Sequence, residues 1–123
     1  MSTPRSTRLR VVVVDNDPDA LLLVVTDLGF EGHDIVGQGW SGEDALRLVA
    51  DEAPDVLVVD HRMPPGIWGA DVAEEVARSA PDTRVIVYSN YQSSALTRRV
   101  RAAGATFLPK GNLRSLRRAV THG

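Results

Sequence analysis

The chain has 123 residues, 43% hydrophobic and 24% charged, with a formal net charge of -2 and no cysteine. That length suits one domain with a real core and is short for two ordinary ones. Without cysteine, disulfides, thiolate metal sites and a cysteine nucleophile are excluded, and no apolar run approaches the ~20 residues of a membrane span.

Met1 to Arg8 is polar and reads as a disordered tail, so the folded domain is expected over residues 9–121. No apolar h-region follows a basic start, so no secretory signal is read and the default expectation is the cytoplasm, away from membranes. Strand-like runs then appear at about 9–14, 34–37, 55–60, 84–88 and 105–108, and helical patterns at about 18–30, 42–51, 70–79, 93–103 and 112–120. Five βα units at this spacing predict an α/β fold, a parallel sheet with helices on both faces. Runs such as Val11-Val-Val-Val14 and Val56-Leu-Val-Val59 lack polar alternation, as strands buried on both faces do.

Local punctuation agrees. Asp17-Pro18 sets an N-cap before a proline at the first helical position. Ser41-Gly-Glu-Asp44 resembles a capping box. Ser93 or Ser94 is expected to cap the fourth helix and Asn112 the fifth, with Gly104 stopping the fourth. Leu113, Leu116 and Val120 form an apolar stripe on the last helix. The first helix is apolar nearly all round at Ala20–Val25, which implies either deep burial or an interface.

The strand ends carry the chemistry. The first delivers Asp15, Asn16 and Asp17, the third Asp60, the fourth Ser89 and Asn90, and the fifth Lys110. In open parallel sheets ligands bind at this edge. Two carboxylates ~5 Å apart repel by roughly 3 kcal/mol at an effective dielectric near 20. A hard cation such as Mg²⁺ relieves that repulsion. An aspartate can also attack phosphorus, with a lysine and a hydroxyl meeting the phosphoryl oxygens. Lys110 is the only lysine, against thirteen arginines, and stands where a compact ammonium suits phosphate. His61 reads as a plain loop residue rather than a base beside Asp60, because its side chain should point away from its neighbour's. His33 and His122 read as surface residues, Trp40 as packing, and Trp68 as a loop anchor or an exposed contact. No GxxxxGK[ST] nucleotide loop is present.

Charge is unevenly spread. Residues 1–92 hold seven arginines and all sixteen acids, a net of -9, whereas residues 93–123 hold six arginines, Lys110 and no acid, a net of +7. This basic quarter reads either as a docking face for an acidic partner or nucleic acid, or as solvated helix faces.

Four segments, VVVVDNDPDALL, PDVLVVDHRMPP, VIVYSN and AGATFLPKG, together resemble the receiver domain of bacterial two-component response regulators over about residues 8–120. GHDIVGQGWSGEDAL is similar to the family's second strand and helix. The resemblance implies a flavodoxin-like (βα)5 fold with strand order 2-1-3-4-5. It implies that Asp60 accepts a phosphoryl group from a sensor histidine kinase. It places Asp15, Asn16, Asp60 and the backbone carbonyl of Arg62 around Mg²⁺, and Lys110 and Ser89 on the phosphoryl group. Ser89 and Phe107 fall on the switch, and Arg62 and Tyr91 on positions that tune phosphoryl lifetime. Such a chain is not a conventional enzyme, although it catalyses its own phosphoryl transfer and slow dephosphorylation. Its output surface, with homodimerisation as one use, would include the last strand and flanking helices, without direct nucleic-acid contact by this domain.

The chain departs from the family pattern. Asn16 stands where a second aspartate is usual, which predicts weaker Mg²⁺ binding. The Pro64–Gly69 loop is one residue longer. Gly111 follows Lys110 in place of the frequent proline, as in subfamilies that carry a LuxR-type DNA-binding domain. Two other functions compete: an interaction module with impaired phosphorylation, motivated by Asn16, and a haloacid-dehalogenase-type phosphohydrolase using Asp15, motivated by the Asp-x-Asp after the first strand.

Overall fold

A computed structural model describes residues 8–122. The expected tail, residues 1–8, lies outside the described residues except for Arg8, whose guanidinium pairs with Asp34 at 2.7 Å.

The elements alternate without exception: β1 Arg10–Val14, α1 Pro18–Phe30, β2 Asp34–Gly39, α2 Gly42–Glu52, β3 Val56–Val59, α3 Gly69–Ser79, β4 Arg84–Ser89, α4 Ser94–Ala102, β5 Thr106–Pro109 and α5 Leu113–His122. The strands form one parallel sheet in the order β2-β1-β3-β4-β5. Chain direction across the sheet reverses between β1 and β3, and this switch opens a crevice at the carboxyl ends of those strands.

The two-residue period of the strands divides the core. Val12, Val14, Leu57, Val59, Val85 and Val87 face a layer with α2, α3 and α4. Val11, Val13, Val56, Val58, Ile86 and Tyr88 face a layer with α1 and α5. Each strand is therefore apolar on both sides, which is why the sequence shows runs instead of alternation.

Caps hold the helices where the sequence placed them. Asp17 accepts from the Asp19 N–H at 3.0 Å, Ser93 from Leu96 at 3.1 Å and Asn112 from Ser115 at 3.0 Å. Ser41 accepts from Asp44 at 3.0 Å, while the Asp44 carboxylate reaches back to the Trp40 N–H at 2.9 Å. Arg84 of β4 donates to the last carbonyls of α5, Ala119 at 3.0 Å and Val120 at 2.5 Å, and so seats that helix. α1 buries Leu21, Val24 and Leu28 and leaves Leu22, Leu23 and Phe30 in solvent.

Three expectations change. His33 is buried, with Nδ1 accepting from the Leu9 N–H at 3.2 Å, because the approach to β1 crosses over it. Trp40 is exposed instead of packed, since its backbone is spent on capping α2 while its ring faces out. His61 is buried under the start of α3. Its side chain does point away from that of Asp60, but that direction leads into the protein.

Candidate functional site

Strand register assembles the site. Val14 is paired with Val59, so the next residues, Asp15 and Asp60, leave the sheet side by side across the β1/β3 switch. Val59 is paired with Val87, and Ser89 with Pro109, which brings Ser89 and Lys110 to the same edge. Backbone bonds fix the exits: Asp15 N–H donates to Gly39 at 3.0 Å, Asp60 to Val14 at 3.0 Å and Lys110 to Ser89 at 3.0 Å.

Lys110 Nζ lies 2.7 Å from Asp15 Oδ2 and 3.4 Å from Asp60 Oδ2, and all three groups are largely withdrawn from solvent. The remaining carboxylate oxygens are committed locally. Asp15 Oδ1 accepts from the Asp17 N–H at 2.9 Å, and Asp60 Oδ1 from the His61 N–H at 2.7 Å. Burial pushes the Asp15 carboxyl above its ordinary value, against the hydrogen bonds from Lys110 and Asp17. Burial alone would lower the Lys110 ammonium, but the Asp15 hydrogen bond and the two carboxylate charges outweigh it and hold the lysine more firmly protonated.

Asp60, Ser89 and Lys110 open on one cavity of ≈ 250 Å³, completed by Arg62, Asn90 and Tyr91. Ser89 is buried, and its hydroxyl oxygen accepts from the Tyr91 N–H at 3.1 Å. Phe107 is buried opposite Val87 in the layer shared with α3 and α4, outside the cavity lining. Asn16 follows Asp15 at the exposed rim.

The donor set suits a hard cation: two carboxylates, a neutral amide oxygen at Asn16 and the backbone carbonyl after Asp60, all oxygen. Mg²⁺ takes one or two carboxylates and fills the rest of its shell with water and phosphate oxygens, so the pair Asp15 and Asp60 is sufficient. Among the described residues, no group of three or more His, Cys, Asp or Glu side chains gathers into a metal site. Transition-metal ligation of that kind is not what this edge offers.

The loop after β3 is closed by Gly69, whose N–H donates to the His61 carbonyl at 2.8 Å. A Cβ there would fall 2.4 Å from the Asp60 carbonyl oxygen and 2.8 Å from His61 Cα. His61 Nδ1 accepts from the Ala70 N–H at 3.2 Å, and Trp68 N–H donates to Asp71 at 2.9 Å. Trp68, left open by the sequence, is thus a half-buried anchor at the entry to α3. The Gly69-Ala70 pair was the available signal that backbone and imidazole approach closely here. Burial pushes His61 below its ordinary value, partly offset by Asp60.

Part of the basic C-terminal segment is turned back on the protein's own acids. Arg99 meets Asp71 at 2.7 Å and Glu74 at 2.7 Å, linking α4 to α3, and Arg117 meets Asp27 at 3.0 Å, linking α5 to α1. Among the described residues no helix is long and apolar enough to cross a membrane.

Comparison with known proteins agrees with this geometry. Residues 11–121 match the response regulator receiver domain family. The chain is 36% identical over 106 residues to the response regulator GacA of Pseudomonas aeruginosa, covering 84% of this chain and 49% of that protein. It is 37% identical over 117 residues to the probable transcriptional regulatory protein NarL of Mycobacterium tuberculosis, covering 94% of this chain and 54% of that one. The chain thus spans about half the length of these relatives. The solved signal receiver domain of the NarL protein from Mycobacterium tuberculosis superposes with a TM-score of 0.84 at 35% identity, over 92% of this chain and 93% of that one. A CheY-like receiver from Methanospirillum hungatei shares the fold with a TM-score of 0.85 at 22% identity. This chain belongs to the response regulator receiver domain family, within the signal-transduction machinery of two-component systems.

Proposed function

We propose that Asp60 is the phosphoryl acceptor and that a sensor histidine kinase supplies the group. The observation that carries this reading is the Lys110 ammonium set between Asp15 and Asp60 beside the Ser89 cavity. Asp60 Oδ1 is held by the His61 N–H, so Oδ2 is the oxygen that faces the cavity and attacks. It bonds to phosphorus as the phosphorus–nitrogen bond of a phosphohistidine breaks, and the electron pair of that bond stays on the imidazole. The phosphoryl oxygens then meet Lys110 and the Ser89 hydroxyl, two donors already in place. Mg²⁺, held by Asp15, Asp60, the Asn16 amide oxygen and the Arg62 carbonyl, would supply positive charge against those oxygens.

Hydrolysis returns the site to rest. A water oxygen bonds to phosphorus, the bond to Asp60 breaks, and its electron pair returns to the carboxylate as inorganic phosphate leaves. Ser89 and Phe107 stand on β4 and β5, so a shift of the Ser89 hydroxyl toward the phosphoryl group would be felt at the α4 and α5 surface. That surface carries the output, including any homodimer contact through β5 and its flanking helices. The resemblance to NarL and GacA supports transcription control as the process served.

The test is intact-mass measurement after incubation with Mg²⁺ and acetyl phosphate. A single phosphoryl adduct that is lost in Asp60→Asn is expected; no adduct at any Mg²⁺ concentration would sink the reading. One observation favours a second reading, an interaction module with impaired phosphorylation. Asn16 supplies no charge at the exposed rim, and an adduct that forms only in Asn16→Asp would establish it.

A further inference from the structure

One guanidinium and three aromatic rings close a circuit of contacts at the mouth of the acceptor cavity. The Arg62 guanidinium lies 5.7 Å from the centre of the Trp68 ring and 5.2 Å from that of Tyr91, inside the range of cation–π attraction for both. Below it the His61 ring meets Trp68 edge-on at 5.2 Å and stacks on Tyr91 at 5.9 Å. His61 is pinned by the Ala70 N–H, and an Nδ1 that accepts this bond carries no proton. The Trp68 backbone is pinned by Asp71. Among the described residues, Arg62 has no carboxylate partner. The rings alone hold it.

These members have different relations to the cavity. Arg62 and Tyr91 line it beside Asp60, whereas Trp68 stands behind Arg62 and does not reach it. A guanidinium is planar and weakly hydrated, so it stacks between aromatic faces and stays there at little entropic cost. We propose that Trp68 is a positioning residue that clamps Arg62 against Tyr91, forming a gate that restricts water at phosphorylated Asp60. The gate rests on Asp60 being the acceptor. Its chemical consequence is on the hydrolytic step only. Water oxygen must reach phosphorus as the Asp60–phosphorus bond breaks toward the carboxylate, and a clamped guanidinium occupies the approach.

The experiment uses the chain with Trp40→Phe, which removes the other tryptophan at an exposed position. The protein is phosphorylated with acetyl phosphate and Mg²⁺, the donor is removed, and adduct decay is followed by intact mass. Trp68→Ala is expected to shorten the half-life about threefold to tenfold, the worth of one partly desolvated cation–π contact. Trp68→Phe should keep most of the lifetime. Trp68→Ala combined with Arg62→Ala should decay no faster than Arg62→Ala alone, because Trp68 acts through Arg62. A merely structural Trp68 would multiply the two effects. An unchanged lifetime in Trp68→Ala, or multiplied effects in the double variant, would overturn the gate while leaving Asp60 as the acceptor. If Trp68→Ala fails to fold, Trp68→Leu takes its place in the same cycle. Emission of Trp68 should also change on phosphorylation and lose that change in Arg62→Ala; persistence of the change would count against the clamp. No adduct in any variant would remove the acceptor and the gate together.

Discussion

Lys110 Nζ is 2.7 Å from Asp15 Oδ2, closer than to Asp60 at 3.4 Å. The lysine is therefore counter-charge to the metal half of the site as well as to the acceptor. Removing one partner of a buried ion pair leaves the other charge unpaired, which costs about 3 kcal/mol. Lys110→Ala should lose about that much stability at neutral pH by urea unfolding, and Mg²⁺ should restore part of it by replacing the missing cation. A variant as stable as the parent, with or without Mg²⁺, would show that the pair is not desolvated in solution.

Asn16 makes the site one charge poorer than two aspartates would. Asn16→Asp should tighten Mg²⁺ binding about tenfold, equivalent to about 1.4 kcal/mol. A Mg²⁺ titration followed by Trp68 emission in Trp40→Phe would read it. Equal midpoints for the two proteins would take Asn16 out of the account.

Gly69 lets the start of α3 sit against the end of β3. Because a Cβ would fall 2.4 Å from the Asp60 carbonyl oxygen, the alanine variant must push helix and strand apart. Such overpacking costs about 1–3 kcal/mol. Gly69→Ala should lower the thermal midpoint and slow Asp60 labelling by acetyl phosphate, since Trp68 and Arg62 move with the loop. Normal stability together with normal labelling would show that the loop has slack.

His33 gives the fold an acid sensitivity distant from the site. Burial pushes its pKa below the ordinary 6.5, with Glu31 countering in part. The unfolded chain then binds a proton more readily than the folded one. Stability from neutral His33 is fully present above pH 6.5 and falls as the pH drops below that value toward the lower folded pKa. Urea midpoints measured between about pH 7.5 and pH 5 should decline, and the decline should flatten in His33→Gln. A slope unchanged by that substitution would assign it to other groups.

Much of the fold could be read in the chain itself. Helix α1 spans Pro18–Phe30 as expected, because Asp17 and Pro18 define its start within four residues of sequence. The paired strand ends were readable for a similar reason: Val11–Asp15 and Val56–Asp60 are unbroken apolar runs closed by a carboxylate. Strand β2 runs two residues beyond the expected 37, to Gly39. Glycine is a poor strand former, and only the partner β1 supplies the hydrogen bonds that keep Gly37 and Gly39 extended.

The chemistry of the individual aspartates and of Lys110 was set by the sequence alone: which groups exist, their charge, and their position at the ends of apolar runs. Only the tertiary structure decided their distances, since the Val14–Val59 register is what places Asp15 beside Asp60. It also decided the fates of His33, His61, Trp40 and Trp68. Burial of a single side chain depends on which distant segment crosses it: Leu9 for His33, and Ala70 for His61. No local pattern records such a crossing. Sequence periodicity fixes which face of an element turns inward, but not what lies on the other side of that face.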